Sequence, residues 1–315
     1  MTDSLFSLMQ SAVDIVATSQ HATNKVAATI AGSNVAGQPF ALARVNTWPA
    51  PILAAFGQNT DIGSASGTVH AETACILAAP RTRGASVFVT DPPCPNCMKN
   101  MAEAGIKKLY IDHKGFDKDF ARRRGDDFED MTLHICKTAG ISVDIIYRKD
   151  KRIEPILTPP PGYLPAIEKP AKVYEIDLPM NVVRFRAIIE TEQNLYGKQP
   201  FAVALAFAPS GQGYIITAEI HAIAGFTSTT PAPEGKYNYL LQPVHRVLMT
   251  AARRGLKIDQ NYLFSSRVPT AREQVNIVGA GFSKIWLGNT TDARDADALQ
   301  ALDQLTKAGI LNIQQ

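Results

Sequence analysis

The sequence has little of several features that would assign it to a special class of protein. No apolar run approaches the length of a transmembrane helix, so we expect no membrane span. The first twenty residues lack a basic segment followed by a clean apolar run, which indicates no signal peptide and a cytoplasmic protein. The net charge is only +3. This is compatible with an anionic substrate but far from the charge density of a dedicated nucleic-acid binder.

The sequence also lacks the composition of a disordered chain. Hydrophobic residues make up 45% and charged residues only 19%, which predicts a packed core. With 315 residues, the chain is too long for one typical small domain and comfortable for two.

Cysteine is scarce, with four in the whole chain, and two of these stand three positions apart in "PCPNC" (93–97). In a cytoplasmic protein, such a Cys-x-x-Cys pair indicates a metal or redox site rather than a structural disulfide. The other two, Cys75 and Cys136, lie in apolar helical stretches without such spacing. We expect both to be buried core residues.

A weak internal repeat divides the chain. "TDPPCPNCMKNMAEAGIKKLYI" (90–111) matches "SRVPTAREQVNIVGAGFSKIWL" (266–287) at a shift of 176 positions, and "VAATIA" (26–31) falls on "AVALAF" (202–207) at the same shift. This predicts two copies of one domain. We assign residues 1–150 to a first domain, 151–178 to a linker and 179–315 to a second domain.

The predicted linker is rich in proline, which excludes a regular interior helix or a central strand. An extended, semi-rigid connection is one interpretation. An irregular loop that packs on one domain is the other, and the sequence leaves both open.

Hydrophobic periodicity in the first copy alternates between helices and short strands. It predicts helices over 4–20, 71–79, 97–105 and 127–139, and strands over 25–32, 40–46, 86–90, 107–113 and 141–147. This alternation is typical of a three-layer α/β/α sandwich with helices on both faces of a mixed sheet. The repeat implies that this layered domain is present twice.

The chemistry is concentrated at "HAET" (70–73) and "PCPNC". His70, Cys94 and Cys97 supply one nitrogen and two sulfur ligands, the types that zinc takes. Three protein ligands leave one coordination position for water, which is the catalytic pattern. Glu72 stands two residues from a ligand, where a carboxylate can take a proton from such a water without binding the metal itself.

The stretches "VHAETACIL" and "VFVTDPPCPNCMKNMAEAGIKKLYI" resemble the cytidine deaminase superfamily, and most of all its deoxycytidylate and tRNA-adenosine deaminase branch. The resemblance implies a cytidine deaminase-like fold, with His70, Cys94 and Cys97 as zinc ligands and Glu72 as the catalytic proton shuttle.

The resemblance also implies which residues bind the substrate. The backbone of Ala71 would line the pocket, and Asn46 would hydrogen-bond the sugar or base, unless it only starts a turn. Trp48 and Phe56 are candidates for stacking on a base, with burial in the core as the alternative for both.

Two departures from the family pattern leave the substrate subclass open. Pro92 stands where many relatives have glutamate, and Ala74 stands where deoxycytidylate deaminases often have asparagine. A basic cluster, "ARRRGDD" (121–127), suits a phosphate clamp, but its adjacent acidic pair favours a solvated surface.

The second copy has lost the metal ligands. At the repeat shift, Thr270 and Glu273 take the places of Cys94 and Cys97. At a shift one residue shorter His245 falls on His70, so this histidine alone remains of the set. We therefore expect one zinc ion per chain, held by the N-terminal domain, and a non-catalytic C-terminal domain.

The sequence predicts a zinc-dependent hydrolytic deaminase that releases ammonia from an amino-nucleobase, foremost the cytosine of a nucleoside or nucleotide. Two alternatives stay open: a non-catalytic, zinc-stabilised module that binds nucleic acid or a partner protein, and a deaminase of an adenine-type, guanine-type or other heterocycle. Because deaminase domains of the family that this chain resembles generally associate in pairs, we expect a homodimer or a pairing of the two copies within one chain.

Overall fold

The structure is a computed structural model that describes residues 2–58, 60–118, 127–231 and 238–315. We call the residues up to Leu157 the N-terminal half and those from Lys172 the C-terminal half. The helices of the N-terminal half are α1 (Thr2–Ile15), α2 (Ala50–Phe56), α3 (Ala71–Ala78), α4 (Pro95–Glu103) and α5 (Leu133–Ala139). Its strands are β1 (Ala27–Ser33), β2 (Pro39–Val45), β3 (Asp61–Ile62), β4 (Ala65–Ser66), β5 (Ser86–Val89), β6 (Lys108–Asp112), β7 (Ser142–Tyr147) and β8 (Arg152–Leu157).

The C-terminal half repeats this alternation of helices and strands. Its helices are α6 (Val182–Tyr196), α7 (Pro243–Arg254), α8 (Ala271–Gly279) and α9 (Ala296–Lys307). Its strands are β9 (Lys172–Ile176), β10 (Phe201–Phe207), β11 (Gly213–Glu219), β12 (His221–Ala222), β13 (Leu240–Leu241), β14 (Lys257–Ser265), β15 (Lys284–Leu287) and β16 (Asn312–Gln314).

Each half is built on a mixed six-stranded sheet. The strand order is β2-β1-β5-β6-β7-β8 in the first sheet and β16-β15-β14-β10-β11-β9 in the second. In each sheet two strands form an antiparallel hairpin, and its inner strand pairs antiparallel with a third strand. Two further strands then continue the sheet, parallel to that third strand. The predicted α/β fold is confirmed. The matching order of five strands supports the interpretation of a duplicated domain, which stays an interpretation.

Side chains alternate between the two faces of each sheet, as the geometry of a strand requires. In β10, Phe201, Val203 and Leu205 belong to a small apolar cluster with Phe185 of α6. The alanines between them, at 202, 204 and 206, face the main core. Helix α1 likewise covers the outer face of the first sheet through Phe6 and Met9. The other long helices therefore lie on the inner faces.

The inner helices of the two halves pack against each other between the sheets. Helix α4 contacts α7, and α3 contacts α7 as well. One apolar cluster extends from Ala28 in β1 to Leu311 near the C-terminus without a break between the halves. The two sheets thus enclose a shared core. Within the described ranges, none of the helices combines the length and apolar composition that crossing a bilayer requires.

The segment predicted as a linker, 151–178, contains a strand at each end. Strand β8 pairs antiparallel with β7, and β9 pairs antiparallel with β11 at an edge of the other sheet. Pro155 is compatible with β8 because an edge strand does not need every N–H for its ladder. The connection between the sheets is therefore shorter than predicted, about residues 158–171. The domain boundaries themselves stay predictions.

Candidate metal centre and substrate pocket

Three metal-ligating side chains converge at the starts of two inner helices. His70 is the N-cap of α3, Cys94 is the N-cap of α4, and Cys97 lies in the first turn of α4. The Nδ1 atom of His70 lies 3.2 Å from Sγ of Cys97 and 3.6 Å from Sγ of Cys94. All three ligand atoms lie within 4.8 Å of one another, which is the spacing of a shared metal ion.

Local contacts hold these two helix starts together. Asn100 of α4 donates a hydrogen bond to the hydroxyl of Thr73 in α3 at 3.2 Å. The hydroxyl of Thr132 donates to the carbonyl of Pro93 at 3.1 Å and so fixes the backbone just before Cys94. Both helices follow directly on short extended segments and begin at the same end of the sheet, so the ligands converge without a long loop.

The donor set suits a zinc ion. Both thiols are buried, with 4% of Cys94 and 3% of Cys97 exposed. The side-chain hydrogen bond from Cys94, and then burial, raise the pKa of Cys97 well above its usual value. Two thiolates would repel each other here without a cation, so their deprotonation is coupled to metal binding. One nitrogen and two sulfur ligands match zinc and leave a coordination position for a small molecule.

Glu72 follows His70 by two residues in the first turn of α3 and is only 4% exposed. It lines a cavity of about 200 Å³ together with His70 and Ala71. The first backbone N–H groups of α3 have no acceptor within the helix, so this helix start also offers donors. A metal-ligand cluster, a carboxylate and helix N–H groups therefore border one small pocket.

Asn46 also lines this pocket, but its amide is occupied within the protein. Its side-chain oxygen accepts hydrogen bonds from the hydroxyl of Ser19 at 2.7 Å and from the N–H of Val26 at 2.9 Å. Its amide nitrogen donates to the carbonyl of Asn24 at 2.8 Å. Asn46 thus fixes the segment 19–26 at the pocket wall. A direct contact between Asn46 and the substrate stays a prediction.

The two candidate stacking residues lie behind the pocket wall. Trp48 is 4% exposed and packs in the main core, and Phe56 is half-buried against the same core. Neither borders the pocket in the structure. The ring of Trp48 stacks on that of His21, with centroids 5.4 Å apart, and it is His21 that lines the pocket. Burial, and then the charge of His70, lower the pKa of His21.

A second cavity, of about 590 Å³, reaches the metal centre from the side of the C-terminal half. His70 and Ser66 line both cavities. Lys99 borders the second cavity and donates a hydrogen bond to the carbonyl of Leu240 at 3.0 Å. Burial lowers the pKa of Lys99 to about 8.

Arg272 connects the C-terminal half to the pocket wall. From the first turn of α8, its guanidinium donates to the carbonyl of Thr68 at 2.6 Å and to the hydroxyl of Ser66 at 3.2 Å. Ser66 and Thr68 both line the smaller pocket. A residue of the C-terminal half therefore positions part of the wall beside the metal ligands.

The corresponding place in the C-terminal half holds a carboxylate. Thr270 is the N-cap of α8, as Cys94 is of α4, and Glu273 occupies the position of Cys97. One oxygen of Glu273 accepts from the N–H groups of Val244 and His245 in α7, at 3.0 and 3.3 Å. The other accepts from the N–H and hydroxyl of Thr270, at 2.8 and 2.9 Å. Burial raises the pKa of Glu273, and these hydrogen bonds oppose the increase.

The helix starts correct the alignment of His245 with His70. His70 is the N-cap of α3, whereas the N-cap of α7 is Gln242 and His245 lies three residues further on. The sequence alignment, which used a shift one residue shorter here, misaligns this helix because the segment before it differs in length between the halves. The imidazole of His245 bonds Asn276 at 2.8 Å, and burial lowers its pKa to about 3.

Sequence reasoning missed His21 and Arg272. The signal for His21 was its place in the polar run between α1 and β1, just before the start of a strand of the predicted domain. Nothing local distinguishes Arg272 from an ordinary surface arginine on a helix.

The other two cysteines, Cys75 and Cys136, are completely buried, as predicted. The basic cluster 121–127 lies almost entirely outside the described residues.

Comparisons with known proteins agree with this site. The family described as "Cytidine and deoxycytidylate deaminase zinc-binding region" matches residues 4–113. An uncharacterised deaminase in the luxG 3′ region of Aliivibrio fischeri is 35% identical over 77 residues, which are 24% of this chain and 50% of that protein. The deoxycytidylate deaminase of Enterobacteria phage T2 is 46% identical over 50 residues, 15% of this chain and 27% of that enzyme.

Among solved structures, the dCMP deaminase of cyanophage S-TIM5 in complex with dCMP and dUMP is 22% identical. The match covers 44% of this chain and 94% of that one, with a TM-score of 0.31. The chain spans half or less of the length of the curated relatives described above. Residues 4–113 are therefore similar to the zinc-binding region of cytidine and deoxycytidylate deaminases.

Proposed function

We propose that this chain is a zinc-dependent hydrolytic deaminase that acts on the cytosine of a nucleoside or nucleotide. One observation carries the proposal: a buried His–Cys–Cys cluster borders the same pocket as the carboxylate of Glu72. A purely structural metal site has no use for a buried carboxylate beside it. The phage relatives named as deoxycytidylate deaminases support cytosine as the base.

His70, Cys94 and Cys97 would hold the zinc ion. When bound, zinc lowers the pKa of a water molecule in the pocket to near neutrality. The overall reaction adds the oxygen of water to the carbon that bears the amino group and breaks the carbon–nitrogen bond, so that ammonia leaves and a carbonyl remains.

Glu72 is the residue that would move the protons. From the first turn of α3, its carboxylate would accept a proton from water, pass it to the ring nitrogen next to the reacting carbon, and then deliver a proton to the departing amine. The burial of Glu72 excludes bulk water that would compete for these transfers. The N–H of Ala71 would bind an oxygen of the base, and the segment 19–26 with Asn46 would contact the sugar.

A panel of compounds tests the proposal. We would measure zinc content by elemental analysis and ammonia release from the bases, nucleosides and nucleotides of cytosine, adenine and guanine. The expected result is one zinc ion per chain and release of ammonia from cytosine compounds. Stoichiometric zinc without ammonia from any compound would contradict the proposal, and release from a purine alone would move the assignment to that base.

We further propose that the C-terminal half is a non-catalytic copy. In the place of the two cysteines it has Thr270 and Glu273, whose hydrogen bonds are complete without a metal. The zinc content distinguishes the two possibilities, because a second metal centre in the C-terminal half would give two ions per chain.

A further inference from the structure

A third cavity lies between the two halves. Its volume is about 580 Å³, within the range of small-molecule sites, and it shares no lining residue with the two cavities at the metal centre. Four arginines border it. Arg81 and Arg83 come from the loop after α3, and Arg253 and Arg254 are the last residues of α7. We call this space the arginine cavity.

The backbone that carries these arginines is fixed across the contact between the halves. The N–H of Thr82 donates to the carbonyl of Ala252 at 2.9 Å, and its hydroxyl donates to the carbonyl of Ala104 at 2.7 Å. Gly255 ends α7 with a φ of +72°, and a Cβ there would lie 2.8 Å from the carbonyl oxygen of Pro80. The two arginine pairs are therefore held on closely packed main chain, which reduces the entropic cost of binding a ligand between them.

The charges around the cavity are unbalanced. Among the described residues, none of the four arginines forms an ion pair or a side-chain hydrogen bond. This holds even though Arg81 follows the end of α3, and Arg253 and Arg254 end α7, where carbonyl oxygens lack partners within the helix. The acid that lines the cavity is Glu103, and its carboxylate already lies 3.4 Å from Nε of the buried Arg246. The cavity thus concentrates positive charge that the protein itself does not neutralise.

The arginines also act on one another. Burial lowers the pKa of Arg253; Glu103 opposes this effect, and the nearby Arg83 and Arg254 add to it. These three charges are therefore close enough to repel one another, and all three residues border the same cavity. An anion in that space would remove the repulsion and gain hydrogen bonds from several guanidinium groups.

We propose that the arginine cavity binds the diphosphate or triphosphate group of a small molecule. Guanidinium groups match phosphate oxygens with paired hydrogen bonds, and their four positive charges exceed the charge of about −2 that a single phosphate group carries. The lining also includes the apolar residues Ile167, Val173 and Leu256, which offer a surface for the organic part of such a ligand. This inference does not rest on the proposed deaminase activity.

Binding of inorganic phosphates to the full chain tests the proposal. Isothermal titration calorimetry would compare tripolyphosphate, pyrophosphate and orthophosphate at low and at physiological ionic strength. The test variant is R83Q/R254Q, since both side chains are exposed and their loss leaves the core intact. The matched control is R152Q/R186Q, which removes the same charge from exposed positions outside the cavity.

We expect one tripolyphosphate per chain, bound at least about tenfold more tightly than orthophosphate. R83Q/R254Q should weaken tripolyphosphate binding about tenfold or more, and the control should leave it within about twofold, because only the first variant removes guanidinium groups from the cavity. Equal loss in both variants would show general attraction to a basic surface and overturn the proposal. Several weak sites per chain, or no preference for tripolyphosphate, would overturn it as well.

Discussion

Glu72 and Glu273 are both buried carboxylates in the first turn of an inner helix, but their surroundings differ. Glu72 borders a pocket that can admit a substrate. Glu273 has both oxygens engaged by donors of the surrounding backbone and of Thr270. The first is placed to exchange protons with a ligand. The second joins the starts of α7 and α8, as a metal ion held by His70, Cys94 and Cys97 would join α3 and α4.

Replacing Glu72 by glutamine separates proton transfer from metal binding. E72Q keeps the shape of the side chain but cannot accept a proton, so we expect zinc content and thermal stability to stay unchanged. The rate of ammonia release should fall by about two to four orders of magnitude. The control is E154Q, which changes an exposed carboxylate in β8. Loss of zinc in E72Q would show instead that Glu72 helps to hold the metal.

Replacing Glu273 by glutamine tests its role as a structural link between helices. In E273Q an NH2 group replaces one of the two carboxylate oxygens and faces donors instead of accepting from them. The two hydrogen bonds to that oxygen would be lost in a buried site. We expect a loss of about 2–4 kcal/mol in the free energy of unfolding, measured with denaturant, while zinc content stays the same. E190Q, on the exposed face of α6, is the matched control. Equal stability of both variants would contradict this role.

At the scale of elements, the β3–β4 hairpin is the part of the pocket wall that depends most on the other half. The N–H of Gly63 donates to the side chain of Gln304 in α9 at 2.8 Å, and Gly63 has a φ of +56°. A Cβ at this position would lie 2.2 Å from the carbonyl oxygen of Asp297, so the hairpin backbone directly contacts the C-terminal half. Arg272 then holds Ser66 and Thr68, at and just beyond the end of the hairpin.

Arg272 should therefore affect substrate binding without being part of the chemistry. R272Q removes the bonds to the hairpin, and we expect KM to rise about tenfold with kcat within about twofold, because the proton shuttle and the metal ligands are unchanged. R272K, which keeps the charge and a single donor nitrogen, should recover part of the loss. A fall in kcat at constant KM, or no change in either, would argue against a positioning role.

At the scale of the whole molecule, the halves share one core. Eight residues of α4 are buried, including the charged Lys99 and Glu103, and the partners of both lie in the C-terminal half. An isolated N-terminal half would expose this helix to water. A large exposed apolar surface favours association or unfolding.

Residues 1–157 expressed alone should accordingly be less stable than the full chain and associate with one another. We expect a lower thermal midpoint, a mass above that of the monomer by size-exclusion chromatography with light scattering, and reduced ammonia release. The full chain is the control. A monomeric fragment with full activity would show that the C-terminal half contributes nothing to the site, and a separate binding role would then explain it better.

The residue types and their local spacing determined much of this protein. The His-x-Glu and Cys-x-x-Cys stretches predicted which side chains come together, because helix starts follow local signals and place these residues at the starts of α3 and α4. Hydrophobic periodicity predicted the strands of the first hairpin, β1 and β2. The burial of Cys75 and Cys136 followed from their apolar helical neighbours.

Only the tertiary structure decided how the halves meet. Contacts such as Arg272 to Thr68 join residues about two hundred positions apart, and no local pattern encodes them. The same holds for the arginine cavity, whose members are ordinary surface residues in the sequence. It holds as well for the edge strands β8 and β9, which lie within the segment predicted as a linker. Sequence spacing fixes which side chains share a helix turn, whereas the packing of two sheets around common helices fixes which turns face each other.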